Sequence, residues 1–154
     1  MENVVITAGK TRVEISPLGA ELQSISVDGK EKLWSGDKRV WSGRAPILFP
    51  FCGGLKNDGY FYNGAHYDMP KHGFARKSVF AVDLVEKSSA VFSLTYSEET
   101  LKIYPFKFTL RVMYKLSENS LGVYYFVINE GENKMYYNIC LLYTSPSPRD
   151  RQKS

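Results

Sequence analysis

The chain has 154 residues, of which 44% are hydrophobic and 14% aromatic, so one domain with a sizeable core is expected and a disordered chain is excluded. Its formal charge is +4, but the last six residues, 149–154, contribute a net +2 of it, with three positive and one negative side chain. A charge this small gives no reason to expect a nucleic-acid partner or a membrane partner.

In chain order, the N-terminal part predicts four short strands. Residues 4–7 and 11–15 are rich in β-branched side chains and flank a turn that contains Gly9. Residues 21–27 alternate with a period of two and lead into Asp28-Gly29, a favoured two-residue hairpin turn. The segment 32–34 then leads out of this second hairpin.

The middle and C-terminal segments continue the same β pattern. A loop over 36–50 interrupts it, and a single helical turn is predicted at 98–102, before a proline. The further strands are predicted at 60–62, 65–67, 78–86, 90–97, 106–116, 121–129 and 135–139. The 121–129 strand has apolar or aromatic side chains on both faces, which predicts burial on both sides. About ten short strands with almost no helix predict an all-β, antiparallel sandwich or barrel.

The sequence changes character after Ile139. A Ser/Pro segment followed by mixed charges cannot continue a central strand, because proline donates no ladder hydrogen bond and the segment has nothing to bury. We therefore expect 1–139 to be the N-terminal part of a domain and 140–154 to be a non-native or disordered tail. A translated cloning adapter fused to a truncated reading frame and a natural linker are both compatible with this segment.

The two cysteines bear on the compartment. Cys52 and Cys140 are far apart in the sequence and lack the spacing of metal ligands, which predicts free thiols in a reducing compartment and no metal site. The N-terminus shows no basic segment followed by an apolar core, and no apolar run approaches the roughly 18 residues of a membrane span. A cytoplasmic protein is expected.

Two segments, 69–76 and its upstream companion 43–50, contain the candidate site residues. His72 is one of two histidines; it precedes a turn glycine and lies four residues before Arg76. Arg44 stands beside an apolar run, where a charge usually has a partner. A histidine with a pKa near its ordinary value of about 6.5 can donate or accept a proton at neutral pH, and an arginine can hold two hydroxyls or a phosphate.

Four ordered motifs resemble those of the aldose 1-epimerase (mutarotase) family, and more narrowly its LacX-like branch. They are Gly43-Arg44-Ala45-Pro46-Ile47-Leu48-Phe49-Pro50, Tyr67-Asp68-Met69-Pro70, His72-Gly73-Phe74-Ala75-Arg76 and Tyr104-Pro105-Phe106. The resemblance implies an antiparallel β-sandwich of the galactose mutarotase type. It also implies a cofactor-free enzyme that interconverts the α and β anomers of an aldohexose or related sugar, phosphorylated or not.

The same resemblance implies roles for individual residues. Arg44, His72 and Arg76 are expected to bind the sugar, and His72 is also the catalytic candidate, although orienting the substrate is favoured over direct proton transfer. A second histidine, as general acid, is expected soon after 135–139, and a glutamate, as general base, much later. This sequence continues with Cys140-Leu141-Leu142 instead.

Mutarotation needs both an acid and a base, because the anomeric hydroxyl loses a proton while the ring oxygen gains one. The chain is therefore expected to be an inactive part of an isomerase. The alternative is a non-catalytic carbohydrate-binding β-sandwich, which needs no acid/base pair. An RNA-binding role is not supported, since the chain lacks the two helices and clustered basic charge of the common RNA-binding sheet domains.

Overall fold

The computed structural model describes residues 2–143, and nearly all regular structure in this range is β-strand. Two single turns of 3₁₀ helix occur at Lys56–Asp58 and Ala75–Lys77. The other elements are β1 (Val4–Ala8), β2 (Thr11–Ser16), β3 (Glu21–Val27), β4 (Lys30–Glu31), β5 (Ile47–Leu48), β6 (Gly59–Tyr62), β7 (Ala65–Asp68), β8 (Ala81–Val85), β9 (Ser89–Thr95), α1 (Glu98–Ile103), β10 (Phe108–Leu116), β11 (Leu121–Asn129) and β12 (Cys140–Leu141).

Two four-stranded antiparallel sheets form the body of the fold. The first has the strand order β1-β2-β3-β4, with Val4 opposite Ile15. The second has the order β11-β10-β9-β8, with Phe108 opposite Asn129. Two smaller antiparallel pairs, β6-β7 and β12-β5, complete the described ladders. The predicted all-β antiparallel architecture is confirmed.

A single apolar core joins the two sheets, because alternate residues of β2 and β10 point inward. Val13 from the first sheet and Val112 from the second are fully buried in the same cluster. Tyr114 is also fully buried, and its hydroxyl donates a 2.6 Å hydrogen bond to the carbonyl of Ala20, just before β3. Burial raises the pKa of Tyr114 well above its usual value, so the hydroxyl keeps its proton and the bond between the sheets.

The prediction that the 121–129 strand is buried on both faces is wrong. Tyr124, Phe126 and Ile128 are exposed, whereas the alternate face, with Val123 and Tyr125 at its centre, packs on the core. The reason is that within the described residues no layer covers this face of the sheet: Arg111 and Lys115, on the same face of the neighbouring β10, are exposed as well. Apolar composition alone could not distinguish this arrangement from a strand between two layers.

The predicted strand at 135–139 is also wrong, since no ladder forms there and β12 begins only at Cys140. Single hydrogen bonds hold this segment: the Asn138 amide donates to the Pro50 carbonyl at 2.8 Å, and the Tyr104 hydroxyl donates to the Tyr136 carbonyl at 2.8 Å. Its aromatic and β-branched residues favour a strand, but they obtain no continuous partner strand.

The chain after Ile139 is described only in part. Cys140 and Leu141 pair with Leu48 and Ile47, so the first residues of the predicted tail contact the scaffold. Residues 144–154 lie outside the described residues, and the division of the chain at Ile139 stays a prediction. None of the helices within 2–143 has the length and apolar character that crossing a membrane would require.

Candidate functional site

The two motif segments, 43–50 and 69–76, lie side by side because the backbone of Phe49 contacts the second segment. Phe49 and Gly73 form a parallel bridge, and the Phe49 carbonyl accepts hydrogen bonds from the amides of Phe74 at 3.0 Å and Ala75 at 3.2 Å. Gly73 has φ of +70°, and a Cβ placed on it would lie 2.1 Å from the Phe49 oxygen. Only glycine fits this close approach, which fixes the start of the turn that carries Arg76.

His72 is held in place by one residue, Gly53. The His72 amide donates to the Gly53 carbonyl at 2.8 Å, and the Gly53 amide donates to Nδ1 of the His72 ring at 3.0 Å. Because Nδ1 accepts a hydrogen bond, the proton of the neutral ring is on Nε2. His72 has φ of +72°, an uncommon backbone conformation for a residue other than glycine, and functional sites often contain such residues.

The surroundings of His72 favour its neutral form. Burial lowers the pKa of His72 below its usual value, and the positive charges of Arg76 and Lys71 lower it further. Within residues 2–143, none of these three side chains forms an ion pair with a carboxylate. At neutral pH the imidazole can therefore offer its Nε2–H as a hydrogen-bond donor beside two cations.

Arg76 lies in the 3₁₀ turn that follows Gly73. Its Nη2 donates a long, 3.3 Å hydrogen bond to the Lys71 carbonyl, and its Nε is buried without a partner in the described part of the chain. Gly19 allows the first sheet to pack against this turn, since a Cβ there would lie 2.9 Å from the Arg76 carbonyl oxygen. The guanidinium is thus held by packing, and its Nη1 makes no hydrogen bond to a described residue.

Arg44 is connected to β3. The amides of Arg44 and Ala45 donate to Oε1 of Glu21 at 2.8 and 2.9 Å, and the Arg44 guanidinium donates to the Gln23 carbonyl. The structure therefore brings His72 and Arg76 together and ties Arg44 to the first sheet. Glu21 was missed by sequence reasoning, because a glutamate that opens a strand gives no sign that it binds a loop 23 residues later.

The Tyr104-Pro105-Phe106 motif meets the other two in the core. The Phe49 ring lies 6.1 Å from the ring of Tyr104 and 6.2 Å from that of Phe74, measured between centroids, and both contacts are edge-on. Tyr104 is fully buried and lies 6.2 Å from Phe74. Three motifs that are separate in the sequence thus surround one aromatic cluster, which supports the loop that carries His72.

Comparison with known sequences gives one family and close relatives. A family model described as aldose 1-epimerase matches residues 2–141. Over 136 residues the chain is 40% identical to the chromosomal protein LacX of Lactococcus lactis subsp. lactis, covering 82% of this chain and 45% of that protein. The plasmid form of LacX is 40% identical over 134 residues. The chain spans about half the length of the curated relatives it matches.

Solved structures agree with this result. A galactose mutarotase related enzyme from Lactobacillus acidophilus has a TM-score of 0.87 and 39% identity, covering 90% of this chain and 47% of that one. A galactose mutarotase-like protein from Lactobacillus casei has a TM-score of 0.86 and 38% identity, covering 90% of this chain and 48% of that one. The antiparallel β-sandwich of the galactose mutarotase type is confirmed.

Proposed function

Since this chain belongs to the aldose 1-epimerase family, we propose that it provides the sugar-holding part of a mutarotase. The reaction is the interconversion of the α and β anomers of an aldohexose or related sugar. The proposal rests mainly on the pair of hydrogen bonds between His72 and Gly53, because they leave the Nε2–H of a neutral imidazole as the donor for a ligand.

In this proposal His72 contacts the sugar and orients it. A hydrogen bond from Nε2–H to a sugar oxygen requires no change in the charge of His72, which suits a ring whose pKa is lowered. Arg76 donates to sugar hydroxyls from the adjacent turn, and Arg44 does so from the loop held by Glu21. Holding the sugar in one orientation is itself a large part of catalysis, since it sets the hemiacetal in line with the acid and the base.

The acid and the base are proposed to come from outside the described residues. The other histidine, His66, lies on β7 with Nδ1 3.6 Å from the Asp68 carboxylate and its ring 5.0 Å from the Phe61 ring. We therefore propose that this chain alone binds sugar but does not speed anomer exchange. The proposed location is the cytoplasm, in keeping with two free thiols.

A phosphorylated aldohexose is the second candidate ligand. Lys71, His72 and Arg76 cluster without a carboxylate partner among residues 2–143, and such a cluster can hold a phosphate. Comparing D-glucose with D-glucose 6-phosphate in a binding titration distinguishes the two ligand classes.

Polarimetry tests the proposed activity. A version of the protein extended to the length of its relatives should bring freshly dissolved α-D-glucose or α-D-galactose to anomeric equilibrium faster than buffer does. The 154-residue chain should bind sugar and leave the rate unchanged. If the extended version binds sugar and still leaves the rate unchanged, the alternative of a non-catalytic carbohydrate-binding β-sandwich replaces the enzyme.

A further inference from the structure

The segment 32–46, between β4 and β5, carries Arg44 and contains neither a strand nor a helix. It is about 15 residues long, and a loop of this length without secondary structure is uncommon in a compact domain and often functional. Both tryptophans of the chain, Trp34 and Trp41, belong to it. They are partly buried, whereas Val40 at the tip of the loop is 76% exposed. Two indole rings are thus available to hold this loop in one shape.

Hydrogen bonds within the loop fix the backbone of Trp41. The ring nitrogen Nε1 of Trp34 donates to the Trp41 carbonyl at 2.8 Å. The amide of Trp41 donates to the Asp37 carbonyl at 2.8 Å, and the Asp37 carboxylate forms an ion pair with Arg39 at 2.7 Å. Trp41 is therefore bonded both to the start of the loop and to the turn at its tip, three residues before Arg44.

Two glycines allow the loop to close on Arg44. A Cβ added to Gly43 would lie 2.7 Å from Cζ2 of Trp41, so the six-membered ring of this indole rests against the Gly43 backbone. A Cβ added to Gly36, where φ is +73°, would lie 3.0 Å from Nε of Arg44. A larger residue at either position would disturb the contact. Trp41 therefore covers the backbone that leads into Arg44, and Gly36 borders the Arg44 side chain.

The strand β3 also holds Arg44. Oε1 of Glu21 accepts the Arg44 amide at 2.8 Å, and the Gln23 carbonyl accepts a hydrogen bond from the guanidinium. A long side chain loses rotamer freedom when it binds a ligand, and contacts that restrict it beforehand reduce this loss. An indole that fixes the backbone before Arg44 should therefore increase the affinity of any ligand that Arg44 binds.

We propose that Trp41 is a positioning residue for sugar binding: its indole, resting on Gly43, keeps Arg44 in the orientation in which the guanidinium donates to sugar hydroxyls. Trp41 acts through Arg44 and does not itself contact the sugar. This inference rests on the proposed function, since Trp41 has this role only if Arg44 binds the ligand.

A double-mutant cycle tests the inference by titration of the 154-residue chain with D-galactose. Trp41→Ala and Arg44→Ala should each weaken binding about tenfold. The double variant should also lose only about tenfold, because Trp41 has nothing to position once the guanidinium is absent. Trp41→Phe keeps a ring against Gly43 and should retain most of the affinity. Val40→Ala, a change in the same loop, should bind as the original chain does.

Gly36→Ala is a second variant that leaves Trp41 in place. Its added Cβ reaches Nε of Arg44 directly, so binding should again weaken about tenfold and the loss should again not add to that of Arg44→Ala. This variant decides the case if Trp41→Ala does not fold. Tryptophan emission gives an independent readout, because both indoles belong to this loop. It should change with sugar concentration at the midpoint of the binding curve in the original chain, and much less in Arg44→Ala.

The possible failures are distinguishable. A loss of about a hundredfold in the double variant would show that Trp41 and Arg44 act independently, which overturns the positioning role. Unchanged affinity in Trp41→Ala would overturn it as well and leave the proposed function standing. If Arg44→Ala binds normally while His72→Asn does not, the positioning role is wrong and the role of His72 stands. If the original chain binds no sugar, the proposed function is wrong and this inference fails with it.

Discussion

The amide of Gly53 donates to Nδ1 of His72 at 3.0 Å, while the amide of His72 donates to the carbonyl of Gly53 at 2.8 Å. One glycine therefore sets both the backbone and the ring of the only histidine in the candidate site. The pairing assigns the ring proton to Nε2, and it explains how a residue with φ of +72° is kept in place.

Replacing His72 by asparagine should separate loop structure from ligand binding. Asparagine tolerates positive φ, and its side-chain oxygen can accept the Gly53 amide, but its shorter side chain places no N–H donor at the position of Nε2. We expect the free energy of unfolding to change by less than about 1 kcal/mol and sugar affinity to fall about tenfold. Thermal melting and a sugar titration measure the two effects. If His72→Asn binds sugar with the same affinity as the original chain, His72 is not part of the site.

The stability of the chain should depend on the ionisation of His72. Its pKa is lowered in the folded protein, so the unfolded chain binds the proton more readily. The contribution of the neutral ring to the free energy of unfolding is therefore complete above the unfolded pKa of about 6.5 and is lost as the pH falls through the folded pKa.

Denaturant unfolding of the original chain and of His72→Asn between pH 8 and 5 measures this contribution as a difference, because the other titrating groups are common to both. As the pH falls, the free energy of unfolding of the original chain should decrease more than that of His72→Asn. A difference that is constant with pH would mean that His72 has the same pKa in the folded and unfolded states.

Gly73→Ala should be strongly destabilising, because the new Cβ would lie 2.1 Å from the Phe49 oxygen at a residue with φ of +70°. We expect a loss of about 2 to 4 kcal/mol in the free energy of unfolding. Gly64→Ala is the matched control: φ is +79°, but nothing lies within 4 Å of the added Cβ, so only the backbone cost of about 1 to 2 kcal/mol applies. Equal losses in chemical denaturation would show that the two motif segments are not in close contact.

Glu21→Ala should loosen the loop that carries Arg44, since the amides of Arg44 and Ala45 lose their shared acceptor. The expected cost is about 1 to 3 kcal/mol of stability together with weaker sugar binding. Glu21→Gln keeps an acceptor oxygen and should cost less. Glu132→Ala removes an exposed carboxylate that makes no hydrogen bond to a described residue and should change neither quantity. If Glu21→Ala changes neither the stability nor the sugar affinity, Arg44 does not belong to the site.

The elements that the sequence predicts correctly are those with local causes. The hairpin β6-β7 follows from Asn63-Gly64, whose positive φ values of 50° and 79° are the ones such a turn requires. The alternation of β10 predicts its inward face, because burial there repeats every second residue.

The features that the sequence does not predict depend on contacts between distant residues. The bond between Glu21 and Arg44, and the approach of Gly73 to Phe49, join segments that have no common local pattern. The exposed face of β11 could not be predicted either, because its apolar composition suits a covered strand equally well. Long-range packing decides these features, and a single sequence contains no direct sign of it.

The most direct test of the account is an NMR titration of the chain with D-glucose or D-galactose that follows the ring Nε2–H of His72 and the amide of Gly53. We predict saturable shifts of both signals, about tenfold weaker binding in His72→Asn and unchanged binding in His66→Asn, whose side chain is on the exposed hairpin. Saturable sugar binding that leaves both signals unmoved and persists in His72→Asn would contradict the assignment of the sugar site to His72.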